Sequence, residues 1–272
     1  MRHHQIKDEK ITRIWIMRRL ASLLCIILWM FSLPAKADHG HQTWANAAAA
    51  VVVVNPTWPG FNKPGHGAPP GTAPAGSGVY LYIDKNGNID PDGQLYDSGK
   101  VSGKSPFIIT AAHVIDRATV IEIIDAAGNK AIATRHAIDL ERDIAVLRTE
   151  LIGLAIEISR EMPLIGSHVC ALGNSFGLGT GLSCGVVSAV NRTNIGFNAI
   201  EDFVQTDAAV NPGMSGGALV GANGRLIGLV DGIFTKDADI DAGVNFAISI
   251  PLLAASLKMM QNKGVKFDVA AD

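Results

Sequence analysis

The sequence has little of what would place it in several common classes of protein. It holds only three cysteines and no excess of positive charge, with 23 Lys and Arg against 25 Asp and Glu in 272 residues. Its last histidine is His168. The charge balance argues against nucleic acid or an anionic membrane surface as a partner. No imidazole base is available after residue 168.

The first 37 residues resemble a secretory signal. Arg18 and Arg19 precede an apolar run at 20–33, and small residues at 35–37 suit cleavage. The run is shorter than the roughly 20 residues that span a bilayer. We therefore expect an exported protein, periplasmic or secreted, with no stable membrane anchor after the signal is cleaved.

Cleavage would leave a chain over 38–272 with 16 basic and 23 acidic side chains and a formal net charge of −7. Asp8 and Glu9 are unusual in the first part of a signal. Translation from Met17, in place of Met1, would give a conventional beginning with two arginines, and the sequence leaves both starts open.

One serine lies among three glycines in the segment Asn211-Pro212-Gly213-Met214-Ser215-Gly216-Gly217. Glycine permits backbone conformations and close approaches that a Cβ excludes. The backbone N–H groups of Gly213 and Ser215 could therefore form an oxyanion hole beside the Ser215 hydroxyl. The pattern favours a nucleophilic serine, and an ordinary glycine-rich turn is the alternative.

A serine hydroxyl needs a base within hydrogen-bond reach and a third group that orients the base. His113 follows the apolar run at 107–112, which predicts a buried strand ending in small residues. His136 and His168 lie in other predicted strands, where a surface or packing role is expected. His113 is therefore the predicted base.

Asp143 directly precedes the apolar strand at 144–147, which would draw its backbone toward the core. A partly buried carboxylate needs a partner such as an imidazole N–H, and Asp139 is the alternative acid. The order His113, Asp143, Ser215 matches the chymotrypsin type and differs from the subtilisin and α/β-hydrolase orders.

These segments together resemble the trypsin-like serine proteases, in particular the HtrA/Deg branch. The resemblance covers roughly 45–262 and is most specific at 205–219. It is carried by TAAHV at 110–114, DIAVL at 143–147, ALGNSFGLG at 171–179, SCGVVSAV at 183–190, QTDAAVNPGMSGGAL at 205–219, GRLIGLV at 224–230 and GVNFAI at 243–248. It implies that His113 is the general base, Asp143 its orienting acid and Ser215 the nucleophile, with Gly213 in the oxyanion hole.

The resemblance also implies the fold. We expect an all-β protein of two six-stranded antiparallel β-barrels of the chymotrypsin type with a short C-terminal helix. One protease domain would fill 38–272, with the first barrel over about 45–155 and the second over about 165–250. The helix is expected over 251–262, where apolar residues recur with a helical period. The family commonly continues into PDZ domains, and none is expected before the chain stops at Asp272.

Met214 departs from the family pattern. The HtrA/Deg branch usually has Asn before the serine, and digestive relatives have an Asp that pairs with a new N-terminus. Methionine cannot form that ion pair, so activation by a cleaved N-terminus is not expected. The predicted function is an exported serine endopeptidase acting on unfolded or damaged proteins, and a catalytically silent protein that binds peptides is the alternative.

The resemblance also locates the pocket for the residue before the scissile bond. It would be lined by Ala209 and Val210 before the serine, and by Leu229, Val230 and Gly232 after it, with Ala209 at the base. A small apolar base predicts cleavage after Val, Ala or Ile. An acidic residue there would instead select Arg or Lys.

Cys170 and Cys184 flank the glycine-rich segment at 173–181. A hairpin centred near Gly177 would bring the two sulfurs opposite each other. A disulfide suits an oxidising compartment, and two buried thiols are the alternative. The segment lacks the Gly-Lys-Ser/Thr ending of a phosphate-binding loop.

No metal or cofactor is predicted. Asp84, Asn86 and Asn88 alternate as calcium ligands do, but Ile89 and Leu95 stand where an EF-hand has glycine and glutamate. A polar turn is expected there instead. The expected partners are polypeptide substrates, and because trimers occur in the resembling family, a homo-oligomer is among the expected states.

Overall fold

The computed structural model describes residues 39–59, 75–89, 103–233 and 242–267, and outside these only positions 15, 17 and 19. His39–Asp272 forms one compact unit, and Met1–Asp38 is a separate one. Apart from those three positions, the predicted signal lies outside the described residues. None of the described helices combines the length and apolar character that crossing a membrane requires.

The described residues form three α-helices, twelve strands and two short 3₁₀ turns. The helices are α1 (His39–Ala47), α2 (Ala112–Ile115) and α3 (Ile250–Asn262). The strands are β1 (Val51–Thr57), β2 (Gly76–Tyr80), β3 (Lys104–Ala111), β4 (Val120–Ile124), β5 (Lys130–Asp139), β6 (Ile144–Leu154), β7 (His168–Gly173), β8 (Gly181–Arg192), β9 (Phe203–Thr206), β10 (Ala218–Gly221), β11 (Leu226–Ile233) and β12 (Asn245–Ser249).

The strands close into two six-stranded antiparallel barrels, which confirms the predicted fold class. The first barrel has the order β1-β2-β3-β6-β5-β4, and the second has the order β10-β11-β12-β9-β8-β7. The C-terminal helix α3 follows, one residue earlier than predicted. Ser249 begins it by accepting a hydrogen bond from the N–H of Leu252, and Pro251 occupies the first turn, where its missing N–H costs nothing.

A continuous apolar cluster joins the two barrels and α3. It contains Val79 and Phe107 from the first barrel, Leu172 and Phe246 from the second, and Leu253 from the helix, all of them buried. Each barrel also has its own smaller core. Burying aromatic and branched side chains is the dominant favourable term in folding, so this shared cluster fixes how the barrels meet.

The start of the first barrel differs from the prediction. The run of Ala and Val at 47–54, which the sequence predicts as one strand opening the barrel, is divided in the structure. Ala47 ends α1, Ala48–Ala50 forms a 3₁₀ turn, and β1 begins at Val51. Alanine is the strongest helix former, whereas β-branched valine favours strands, and the boundary falls where one residue type gives way to the other.

Strands β7 and β8 form the hairpin expected from the two cysteines. Cys170 pairs directly with Cys184, and a disulfide joins them. The structure therefore contains the bridged form of the two alternatives left open by the sequence. The enclosed segment contains the 3₁₀ turn at Ser175–Gly177, which contacts the loop before Ser215 through the hydrogen bond from Phe176 N–H to the Pro212 carbonyl.

Replacing both cysteines with alanine, as Cys170→Ala with Cys184→Ala, should lower the free energy of unfolding by about 3 kcal/mol, the loop-closure value for a loop of this length. Urea denaturation of the oxidised proteins measures this difference. Added reductant should bring the wild type close to the double variant and leave the variant unchanged. Equal stability of the oxidised proteins would contradict the prediction.

Candidate active site

Asp143 fixes the position of His113 through both its backbone and its side chain. Strand β3 ends at Ala111 and α2 begins at once, so the first N–H groups of the helix need acceptors from outside it. The N–H of Ala112 donates to the Asp143 carbonyl at 3.0 Å. The N–H of His113 donates to Asp143 Oδ1 at 2.7 Å, and His113 Nδ1 lies 2.5 Å from Asp143 Oδ2.

The backbone of Asp143 is left-handed, with φ 56°, a conformation that Asp tolerates better than most residues. The residue is only 7% exposed. Burial raises the pKa of its carboxyl, but hydrogen bonds from His113 and the charge of the imidazole outweigh burial and hold the pKa below its usual value. Asp143 is therefore an anion oriented toward the ring, whose side chain is 45% exposed.

The loop before Ser215 has the backbone shape that the glycines predicted. Gly213 has φ 96° and Gly216 has φ 82°. A Cβ at Gly213 would collide with the carbonyl oxygen of Asn174, and one at Gly216 would collide with that of Ser77. Within the described chain, the N–H groups of Gly213 and Ser215 donate to no protein acceptor, so two adjacent donors are available to a ligand.

His113, Asp143 and Ser215 lie on one cavity of about 430 Å³. Its lining comes from both barrels and comprises Trp58, Ala75, His113, Val114, Asp116, Leu140, Asp143, Phe197, Asn198, Val210, Asn211, Pro212, Gly213, Ser215, Asp231 and Gly232. A larger depression of about 730 Å³ includes Trp44 and Glu122 but none of the three predicted catalytic residues.

The Ser215 hydroxyl donates to the backbone carbonyl of Asp231 at 3.1 Å. A hydroxyl carries one proton, and the described residues contain no hydrogen bond between Ser215 and the His113 ring. Rotation about the serine χ1 redirects the oxygen between staggered positions. Contacts of this kind often tighten only when substrate is bound.

Ser77 connects the first barrel to the serine loop. Its side chain is fully buried. The hydroxyl donates to the Gly213 carbonyl at 2.7 Å and accepts from the N–H of Asn174 at 2.8 Å. The neighbouring Pro212 carbonyl accepts from the N–H of Phe176 at 2.7 Å. The peptide that carries the Gly213 N–H and the peptide that follows it are therefore both held in one orientation.

Met214 faces away from the cavity. It is 2% exposed and belongs to the core of the second barrel, with Val169, Val187 and Leu219 among its cluster. An aspartate at this position would place a charge in that core. The apolar side chain therefore anchors the loop by packing, where digestive relatives use an ion pair.

The alternative candidates for base and acid lie elsewhere. Asp139 is buried and accepts from Arg142 at 3.0 Å and from Ser256 at 2.7 Å, which joins β5 to α3. His136 packs between aromatic rings, and its Nε2 lies 2.8 Å from the Lys266 carbonyl. His168 contacts Cys170 Sγ at 3.5 Å.

The predicted substrate pocket is only partly at the cavity. Val210 and Gly232 line it. Leu229 and Val230 are buried in two hydrophobic clusters instead, since neighbouring residues of a strand point to opposite faces and both faces are covered here. Ala209 is half-buried and does not belong to the cavity lining.

Two groups in the described chain have the side-chain types of a metal site. In the first, His168 adjoins Cys170 and Cys184, whose sulfurs are bonded to each other. In the second, His113, Asp143 and Asp231 have ligand atoms within 4.8 Å of one another. Asp84, Asn86 and Asn88 form the predicted polar turn, since the Asp84 carboxylate accepts from the N–H groups of Asn86 and Asn88. The absence of a metal stays a prediction.

Sequence reasoning missed Asn198, and it placed Asp231 only at the rim of the substrate pocket. Asn198 Nδ2 donates to Asp231 Oδ2 at 3.1 Å. The Asn198 loop is held by Glu201, whose carboxylate accepts four backbone N–H groups. Burial raises the pKa of the Glu201 carboxyl, but the four hydrogen bonds outweigh burial and hold the pKa below its usual value. In the sequence these four loop residues shortly precede the acid that holds them.

Comparison with known proteins agrees with this geometry. A family model described as "Trypsin-like peptidase domain" matches residues 76–229, more than half of the chain. Periplasmic serine endoprotease DegP of Escherichia coli is 38% identical over 146 residues, which cover 52% of this chain and 30% of DegP. Serine endoprotease DegS of Haemophilus influenzae is 32% identical over 200 residues, covering 71% of this chain and 59% of DegS.

A solved structure described as "HtrA-type protease AlgW with tripeptide" superposes with a TM-score of 0.67 and 31% identity. The match covers 83% of this chain and 64% of that one. The predicted resemblance to the HtrA/Deg branch is confirmed. The chain spans about a third of the length of the first curated relatives it matches.

Ser77→Ala should lower the turnover of a peptide substrate. It frees the Gly213 carbonyl, so the peptide next to the Gly213 N–H is no longer held in place. Ser105→Ala is a matched control. That serine is also fully buried, donates to the Leu81 carbonyl at 2.7 Å and accepts from the N–H of Phe107 at 3.0 Å.

Both variants should lose about 1–3 kcal/mol of stability, the cost of leaving buried groups unpaired, as measured by urea denaturation. Only Ser77→Ala should lose about tenfold or more in kcat beyond any stability effect. Equal losses of activity in the two variants would show that Ser77 has no special relation to the site.

Proposed function

Because the chain belongs to the family of trypsin-like peptidase domains, we propose that it is an exported serine endopeptidase that hydrolyses peptide bonds in polypeptides. The observation that supports this function most directly is the shared cavity. It brings to one place a hydroxyl, an imidazole held by a buried carboxylate, and two N–H groups that donate to no acceptor among the described residues.

In the first step, the Ser215 hydroxyl leaves the Asp231 carbonyl, turns to the imidazole and attacks the peptide carbonyl. The exposed nitrogen of His113 takes the proton while the new C–O bond forms. Asp143 keeps the other ring nitrogen protonated and stabilises the positive charge that develops on the imidazole. Its anionic state and its contact with Nδ1 suit this role.

The tetrahedral intermediate carries its negative charge on the former carbonyl oxygen. The N–H groups of Gly213 and Ser215 stabilise that charge, and donors fixed before the reaction need no reorganisation. His113 then gives its proton to the leaving amine and an acyl-enzyme forms on Ser215. Water repeats the sequence with the same base, which restores the serine.

The substrates proposed are unfolded or damaged proteins outside the cytoplasm. This proposal rests on the curated relatives, named periplasmic serine endoproteases, and on the secretory pattern of residues 1–37. The His113 side chain in the cavity lining is accessible to solvent, as a base that acts on a polypeptide substrate must be. A homo-oligomer is proposed on the family resemblance alone.

Ser215→Ala removes the nucleophile and should lower casein hydrolysis by up to roughly 10⁶-fold, by analogy with the subtilisin series. Wild type should also react with a fluorophosphonate probe at Ser215, and the variant should stay unlabelled. Folding of the variant is checked by its thermal melting curve. A wild type that neither cleaves casein nor reacts with the probe would favour the silent peptide-binding alternative.

Cleavage is proposed to occur after small aliphatic residues, since the pocket residues that line the cavity, Val210 and Gly232, are small and apolar. A peptide library with mass-spectrometric detection of cleavage sites should show Val, Ala and Ile before the scissile bond. The Ser215→Ala variant controls for contaminating proteases. Dominant cleavage after Lys or Arg would reject this specificity.

A further inference from the structure

A second buried acid lies against the proposed catalytic pair. Asp231 is only 5% exposed. One of its carboxyl oxygens, one of those of Asp143 and one ring nitrogen of His113 lie within 4.8 Å of one another. Its backbone carbonyl accepts the Ser215 hydroxyl at 3.1 Å. One residue therefore touches the serine through its backbone and the acid through its side chain.

A β-bulge aims Asp231 into the site. Strand β11 pairs regularly with β12 up to Val230 opposite Ala247, and pairing resumes with Gly232 opposite Phe246. Between these two pairs β11 advances by two residues and β12 by one, so Asp231 is the extra residue of the bulge. Bulges turn a side chain away from the direction that regular alternation would give it, and they are common beside active sites.

Two carboxylates cannot both be charged cheaply at this distance in a buried site. Both oxygens of Asp143 already accept from His113, at 2.7 and 2.5 Å, which commits Asp143 to the anionic form. Asp231 Oδ2 accepts from Asn198, and of the two acids Asp231 is therefore the one that can hold a proton. When two carboxylates share a site, one of them binds a proton far more tightly than usual.

The other titratable groups described around the cavity also bear on the protonation of Asp231. Among the described residues that line the cavity, the titratable groups are His113, Asp116, Asp143 and Asp231, and none is Lys or Arg. On the loop that contacts Asp231, the carboxylate of Glu201 faces backbone N–H groups of its own loop. A side-chain hydrogen bond from Asp231 is also among the causes that lower the pKa of Asp143.

We propose that Asp231 is a positioning residue that is protonated at neutral pH and donates a hydrogen bond to the Asp143 carboxylate, holding that acid against His113. The role rests on the proposed hydrolytic function. The alternative is an anionic Asp231, which would keep the imidazole protonated and so prevent it from acting as a base until the pH is high.

Three variants separate these states. Asp231→Asn keeps an N–H donor and removes the ionisable group, and Asp231→Ala removes the donor. Asp202→Asn is the matched control, because the Asp202 carboxyl accepts a hydrogen bond from Ser249 outside the cavity. Steady-state hydrolysis of one peptide by the full chain is measured across pH for each protein.

If the proposal holds, Asp231→Asn keeps the acid limb of kcat/KM at the wild-type pH and stays within a few-fold of wild type. Asp231→Ala then loses about tenfold in kcat with little change in KM, the value of one hydrogen bond to a charged group. An acid limb that moves down by about one pH unit or more in Asp231→Asn would show that Asp231 is an anion. Equal activity of the Ala and Asn variants would remove the positioning role.

A second measurement does not depend on activity. A carboxyl that stays protonated in the folded protein ionises when the chain unfolds, so its contribution to stability is present at low pH and is lost as the pH rises toward its folded pKa. Urea midpoints of Asp231→Asn should therefore rise relative to wild type between pH 5 and pH 8, while Asp202→Asn shows no such trend. A constant difference would overturn the proposal even if the wild type cleaves no peptide.

Discussion

The hydrogen bonds of one carboxylate connect the folding of the first barrel to the chemistry of the site. Asp143 closes the first turn of α2 with its backbone carbonyl and one side-chain oxygen, and its other oxygen fixes the imidazole. Burial opposes the charge of the carboxylate, and its two hydrogen bonds with His113 offset that cost. The helix start and the ring orientation therefore depend on the same residue, and neither can shift alone.

The second half of the site depends on contact between the barrels. The oxyanion loop belongs to the second barrel, but Ser77 of the first barrel holds its Gly213 carbonyl. The N–H of Ser77 also donates to the Ser215 carbonyl at 2.9 Å. The shared apolar cluster keeps the two barrels at the distance these contacts require. Side-chain chemistry and barrel docking are thus parts of a single arrangement.

Much of the fold followed from the sequence, because the relevant signals are local or ordered along the chain. The spacing of Cys170 and Cys184 predicted the hairpin pairing, and the apolar period after Pro251 predicted α3. The residues proposed as the catalytic triad were recognised from motifs that stand in a fixed order. Such signals need no knowledge of which strands become neighbours.

The remaining features depend on contacts between distant parts of the chain. The position of Asp231 follows from a change of register between β11 and β12, which no property of β11 alone reveals. Leu229 and Val230 were expected at the pocket, but both side chains are covered by hydrophobic clusters. Those clusters form from other strands, so the sequence of β11 does not reveal that burial. Ser77 lies between two glycines and has no periodic pattern around it.

The extra residue in β11 has a consequence for how such a protein can change over generations. Because it stands outside the regular ladder, its side chain can be exchanged without disturbing the pairs on either side. A single codon can then replace an acid by an amide or an alcohol next to the imidazole. The group that hydrogen-bonds the acid behind the imidazole can therefore change during evolution while the architecture stays the same.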